Sequence, residues 1–267
     1  SNLSINATYA PADGFTRGAL RVRAAAARTA LADPALRGFD GAGLTAELDG
    51  DLDLDGLGLD GATARASLGA LELTADGSAA LTPLSGDVTV DASLPELARI
   101  DPLVGLGLNG QATVTGHVAL GGAEAPVAAT VTGDLSALSL DTPALAALLG
   151  DRVQLAGDAR LLTDGTLQLD GLSIDTPTAR ITGQVTLPAG DAPLDGRLTS
   201  RMPQTAALGS ALGLDLAGAV ELSGRLSGSL SDPAATAEVT VSDALIAGQR
   251  LGNVTLNADA GSLSETP

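Results

Sequence analysis

Residues able to do chemistry are few in this sequence, and most are spaced like turn residues. Gly56, Gly58 and Gly61 in GLGLDG, and Gly105, Gly107 and Gly110 in GLGLNG, both satisfy the G-x-G-x-x-G spacing that lets a backbone approach a pyrophosphate. That chemistry needs the glycines between a strand and a helix whose N–H groups face the phosphates. Here period-two runs follow instead, Ala62, Ala64 and Ala66 in one case and Ala112 and Val114 in the other, so the glycines read as turns. Asp51-Leu-Asp53-Leu-Asp55-Gly56 copies the first half of an EF-hand loop, but Ala62 stands where a bidentate Glu belongs. Leu48, Leu52 and Leu54 have the opposite parity, so these aspartates read as the outward face of a strand. His117 alternates onto the polar side of its strand and has no Cys or second His to share a metal. Neither metal nor cofactor is expected, and the sequons beginning at Asn2, Asn6 and Asn253 carry little weight if the source is bacterial.

Composition narrows the function classes further. With one His, no Lys and no Cys in 267 residues, the usual general bases and covalent nucleophiles are nearly missing, and no enzyme is expected. The absence of Cys also removes disulfides and thiolate metal sites. Thirty-two acids, 25 of them Asp, oppose 14 arginines for a net charge of −18, the wrong sign for binding a nucleic-acid backbone. At 45% hydrophobic the chain is too apolar to be disordered. It contains no uncharged apolar run of about 18 residues and no basic stretch leading into one, so neither a membrane-spanning helix nor a signal peptide is read here. The Asp excess suits a sheet that must stay soluble with one greasy face, and it blunts exposed edges.

The dominant pattern is alternation at period two, the mark of a half-buried strand. It runs through Leu3, Ile5, Ala7 and Tyr9, and again through Ala112, Val114, Gly116, Val118 and Leu120, with comparable runs along most of the sequence. The fold class expected is mainly β, a long curved antiparallel meander forming a groove, with a few short helices. Asp164-Gly165 predicts a two-residue hairpin. Ser93-Leu-Pro-Glu96 predicts a capped helix that breaks at Pro102, Thr142-Pro143 opens a second ending at Gly150, and Met202-Pro203 opens a third ending near Gly213. The stretches 11–17 and 29–43 read as loops or a degenerate helix. Pro95 and Pro203 each precede a glycine, Gly110 and Gly218, by fifteen residues, and in the same register Gly105 matches Gly213 and Gly116 matches Gly224. This repeat divides one continuous segment into units of roughly 1–92, 93–140, 141–200 and 201–267.

Magnitude then points to a binding role. Two packed sheets must fill a gap of about 10 Å, usually with large aromatic and branched side chains. This chain has three aromatics, Tyr9, Phe15 and Phe39, and strands punctuated by glycine, a composition better suited to lining a trough than plugging a core. The natural filler is a lipid acyl chain, each buried methylene contributing about 0.8 kcal/mol. The side chains expected to contact it are Leu20, Val22, Leu48, Leu52, Leu54, Leu71, Leu73, Val88, Val90, Val114, Val118, Leu120, Val127 and Val131 in the first half. In the second half they are Leu167, Leu169, Ile181, Val185, Leu187, Val220, Leu222, Leu226, Val239, Val241, Val254 and Leu256. A closed, side-chain-filled β-solenoid of structural or adhesive type satisfies the same periodicity, and a scaffold that captures strands along its edge is a third reading.

Three stretches carry a family resemblance: LPELARIDPLVGLGLNGQATVTGHVAL, LQLDGLSIDTPTARITGQVTL and LGLDLAGAVELSGRLSGSLSDPAATAEVTV. The chain resembles the TamB/AsmA-like proteins of Gram-negative bacteria from Ala92 to Gly261, and more weakly elsewhere. The resemblance implies a periplasmic β-taco groove, anchored in the inner membrane outside the present residues. It further implies phospholipid as cargo moved between the two membranes, support of outer-membrane protein assembly, and an Omp85-type barrel (TamA-like) as outer-membrane partner. It supplies no catalytic residues. The missing anchor makes an internal segment of such a protein the expectation.

Overall fold

A computed structural model describes residues 3–12, 16–28, 38–81, 84–101, 105–121, 127–190, 193–211, 213, 215–229, 233–246 and 248–260. The chain divides into two compact units, Ser1–Ala137 and Leu138–Pro267. Among the described residues no helix is long and apolar enough to cross a membrane.

In the first unit the alternating runs form β1 (Leu3–Pro11), β2 (Arg17–Ala26), β3 (Leu44–Asp53), β4 (Gly58–Leu68), β5 (Leu71–Leu81), β6 (Leu84–Leu94), β7 (Asn109–Leu120) and β8 (Val127–Ser139), neighbours in chain order. The registers from β1 to β7 are all antiparallel. Phe39 and Leu97 are 1% and 2% exposed and Leu94 is buried too, and Arg99 Nη1 donates to Gly38 O at 3.5 Å. The second unit contains β9 (Arg152–Leu161), β10 (Leu167–Asp175), β11 (Arg180–Leu187), β12 (Asp195–Met202), β13 (Leu216–Gly228), β14 (Pro233–Ile246) and β15 (Gln249–Ala260), again antiparallel in chain order. Two short helices accompany them, α1 (Pro143–Leu149) and α2 (Ala206–Ala211). The expected class, a mainly β antiparallel meander with a few short helices, is what forms. A solenoid stacks successive coils in parallel, so the pairing seen here is not that of the closed, filled alternative.

Glycine and left-handed backbone shape the strands at equivalent points of the repeat. Gly110 and Gly218 have φ of +129° and +132°, and a Cβ on either would meet a carbonyl of the next strand, Ser136 O at 2.8 Å or Ser242 O at 2.6 Å. The residue after each of those carbonyls, Ala137 or Asp243, itself has positive φ, at +51° and +53°. Register shifts beside Gly61 in β4 and Gly171 in β10 mark the same kind of bulge. An extra residue reverses the parity of all that follows. This is why Leu59 and Ala62, or Leu169 and Leu172, can lie on one face.

Several local expectations are corrected. Ser93 is not a helix cap: it pairs with Glu72 and Thr113 inside β6, because the apolar alternation there continues to Leu94. A 3₁₀ turn, Leu97–Arg99, follows the strand, with Glu96 paired to Arg99 at 2.7 Å instead of capping. The break at Pro102 and the stretch 29–37 lie outside the described residues. Met202 ends β12, and the third helix starts at Ala206. Asp164-Gly165 belongs to a wider loop in which Leu162 N donates to Thr166 O and Gly165 N to Leu162 O. The α1 boundaries agree with expectation: Pro143 sits in the first turn, and Gly150 terminates the helix at φ +65°.

Candidate functional site

The antiparallel registers sort the two faces of each unit by polarity. In the first unit Ile5, Ala24, Ala46, Ala66, Leu73, Ala92 and Val114 lie opposite one another across seven strands. The next row is Ala7, Val22, Leu48, Ala64, Ala75, Val90 and Gly116. No polar side chain enters either row. Rows nearer the strand ends are richer in leucine, with Leu44, Leu68 and Leu71 at one side and Leu52 and Leu59 at the other. Small side chains thus floor a lane between leucine rails. Six inter-strand steps of about 4.8 Å give a lane of about 29 Å, close to the ~30 Å hydrocarbon thickness that two opposed acyl chains span.

This face is partly exposed. Within the rows Ile5 is 66% exposed, and Leu73 and Val114 are each 37% exposed. A concavity of about 420 Å³ sits at its centre, walled by Val22, Ala24, Ala46, Leu48, Ala64, Ala66, Leu73, Ala75 and Val90; Glu47, Arg65 and Thr74, which also line it, belong to the intervening row of opposite parity. That volume is within the range of small-ligand sites. Contiguous exposed apolar surface on this scale marks an interaction site in a protein.

The second unit repeats the partition with one interruption. Leu155, Ile174, Ile181, Ser200, Leu222, Val239 and Leu256 form a row in which Ser200 alone is polar. Leu169, Val185, Gly196, Leu226 and Ala235 form another. Leu198 (47%) and Leu256 (61%) are well exposed.

On the other face of the first unit the cross-strand partners are ionic. Arg17 donates through Nη2 to Asp53 Oδ2 at 2.7 Å, Arg21 pairs with Asp49, and Arg23 pairs with Glu47 at 3.1 Å. His117 lies on this side too, its Nε2 3.1 Å from Asp87. Asp51 and Asp60 face each other, but Asp53 is engaged by Arg17 and by the N–H groups of Asp55 and Gly56. The calcium-loop spacing is therefore spent on pinning the β3–β4 turn, and no metal-holding cluster occurs among the described residues.

The Arg17 hydrogen bond, outweighing slight desolvation and joined by those N–H groups, holds the Asp53 carboxyl below the usual carboxylate range. In the second unit the Thr166 N–H does the same to Asp164. A depressed folded-state pKa means stability that is complete above the unfolded value of about 3.9 and is lost as pH falls through the folded value. Urea midpoints should therefore drop as pH falls below about 4, and Asp53→Asn with Asp164→Asn should flatten that drop; an unchanged slope would refute the linkage.

Of the residues expected to contact a lipid, Leu20, Val22, Leu48, Leu52, Leu71, Leu73, Val88, Val90, Val114, Val118 and Leu120 share the apolar face of the first unit. Val127 and Val131 share one parity of β8. Leu167, Leu169, Ile181, Val185, Leu187, Val220, Leu222, Leu226, Val239, Val241, Val254 and Leu256 share the apolar face of the second. Leu54 does not belong: β3 ends at Asp53, and Leu54 sits in the turn, 46% exposed, because Asp53 captures the N–H groups that a longer strand would have paired. Leu59, Leu155, Leu172, Ile174 and Leu198 are on the apolar faces as well. The first, third and fourth stand next to bulges whose glycines flagged a parity change. Leu198 was masked by Ser200, and Leu155 needed only the alternation with Val153. No family profile, curated protein or solved structure matches this chain.

Proposed function

We propose that the apolar faces of this chain bind lipid acyl chains, and that the chain serves as a lipid-conducting segment of a TamB/AsmA-like envelope protein. The observation that carries this reading is the uninterrupted pair of apolar rows across β1–β7, about 29 Å long and exposed at Ile5, Leu73 and Val114. Ten methylenes laid on such a lane contribute about 8 kcal/mol gross before ordering costs. Successive positions along each row offer similar apolar contacts, so a bound chain meets little change in energy as it advances from strand to strand. Headgroups remain outside the apolar rows, since burying an unpaired charge against leucine and alanine is strongly unfavourable.

By the same resemblance the protein works in the periplasm, held to the inner membrane by a segment outside these residues. It takes phospholipid between the two membranes, supports outer-membrane protein assembly, and meets an Omp85-type barrel at the far end. No catalytic step is assigned to it.

The test is lipid capture. The chain, purified from a Gram-negative host and sprayed under native conditions, should carry phospholipid, and extraction should release it with the protein still folded. A delipidated chain that takes up no lipid from vesicles of mixed phospholipids, or that covers its apolar face solely by forming a lipid-free dimer, would overturn the reading.

A further inference from the structure

The polar face of β11–β13 concentrates positive charge in a chain whose net charge is −18. Four of its 14 arginines lie there, Arg180, Arg197, Arg201 and Arg225, while the three strands contain only two acids, Asp195 and Glu221. They stand in two directly opposed pairs, Arg180 across from Arg201 and Arg197 across from Arg225. Like charges placed opposite one another destabilise a sheet.

Three of the four are compensated: Arg180 by Asp175, Arg201 by Glu221 at 2.7 Å and Arg225 by Asp195 at a looser 3.6 Å. Arg197 forms no ion pair among the described residues, and its other neighbour across the strands is Gln184. A concavity of about 530 Å³ opens beside the Arg197–Arg225 pair. The hydroxyls of Thr199 and Ser223 line it on the same side, and Glu238 and Asp259 line its far side. Glu238 lies on the diagonal from Arg225, since Ser223 pairs with Glu238 and Arg225 with Thr236. Diagonal neighbours of adjacent strands are about 7–8 Å apart. Asp259 continues the Arg225–Thr236 row one strand further.

Two guanidiniums and two hydroxyls on one wall suit a phosphate, which arginine can grip through paired N–H bonds. Two carboxylates on the opposite wall repel a bare anion but attract an ammonium group. We infer that this cleft binds a zwitterion of the phosphoethanolamine class, the phosphate on Arg197 and Arg225 and the ammonium on Glu238 and Asp259. The ligand is either a soluble phosphoamine or the headgroup of a lipid. The site lies on the face away from the apolar rows and does not depend on the acyl-chain reading.

The test follows the arginine Nε–Hε signals of the full chain by NMR during titration with O-phosphorylethanolamine at fixed ionic strength. Saturable shifts should appear at Arg197 and Arg225, with binding at least tenfold tighter than for inorganic phosphate or ethanolamine alone. Arg197→Gln should weaken binding at least tenfold with the thermal melt unchanged, Glu238→Gln with Asp259→Asn should erase the preference over inorganic phosphate, and Arg65→Gln should leave binding unaltered. Dihexanoyl-phosphatidylethanolamine, kept below its micelle concentration, distinguishes the sources. Competition with the free zwitterion identifies a headgroup site, and shifts confined to apolar-face methyls identify a soluble ligand. Equal affinity for inorganic phosphate, an equally tight fit of glycine, or shifts spread evenly over all arginines would overturn the assignment.

Discussion

Leu48→Asp and Leu222→Asp should each cut phospholipid occupancy at least tenfold while leaving the fold intact. Leu48 lines the concavity on the first unit's apolar face, between Val22 and Ala64. Leu222 lies between Ser200 and Val239 on the second. Both side chains are only partly covered. Losing contact with two methylenes costs about 1.6 kcal/mol, already more than tenfold, and pressing a carboxylate against hydrocarbon adds to that. The partly exposed position limits the cost to the protein itself, and a shift in urea midpoint equivalent to under about 1 kcal/mol is expected. In a packed core the same substitutions would unfold the chain. Native mass spectrometry beside urea titration separates the two cases, and a variant that unfolds, or one that keeps its lipid, contradicts an open binding face.

Gly218→Val should destabilise the second unit by about 3 kcal/mol, measured by urea denaturation. The backbone there has φ +132°, a region that a β-branched residue enters only under strain, and the new Cβ would lie 2.6 Å from Ser242 O. Gly218 O also accepts hydrogen bonds from the Thr205 N–H (3.1 Å) and Oγ1 (3.3 Å), which tether the start of α2 to β13, so a shifted backbone loosens the helix too. Gly110→Val should behave alike in the first unit, given φ +129° and Ser136 O at 2.8 Å. Gly224→Ala is the control: its φ is not in the positive range, and the nearest atom to its Cβ would be 3.7 Å away. That change should be neutral or slightly stabilising, because alanine restricts the unfolded chain. Equal effects at Gly218 and Gly224 would show that the repeat's glycines have no special backbone role.

The sequence by itself determined the alternation, and with it the mainly β class, the antiparallel meander and nearly the whole membership of the apolar faces. A strand repeats every two residues, so Val22, Leu48 or Leu222 could be placed on a face from neighbours in sequence alone. It also marked the glycine positions of the repeat and the ends of α1, where Pro143 and Gly150 act through local backbone geometry.

What alternation cannot count is an added residue. Leu59, Leu172 and Ile174 were decided by bulges, and a bulge forms only when a neighbouring strand accepts the shifted hydrogen bonds. Leu54 was lost to the turn because Asp53 found Arg17, 36 residues away, together with the N–H groups of the turn itself. Ser93 went to β6 because cross-strand pairing satisfied its backbone where a single helical turn would not. The Arg197–Arg225 cleft was invisible for the same reason. Its residues are scattered from 197 to 259, and only the register across β12–β15 brings two cations, two hydroxyls and two carboxylates to one surface.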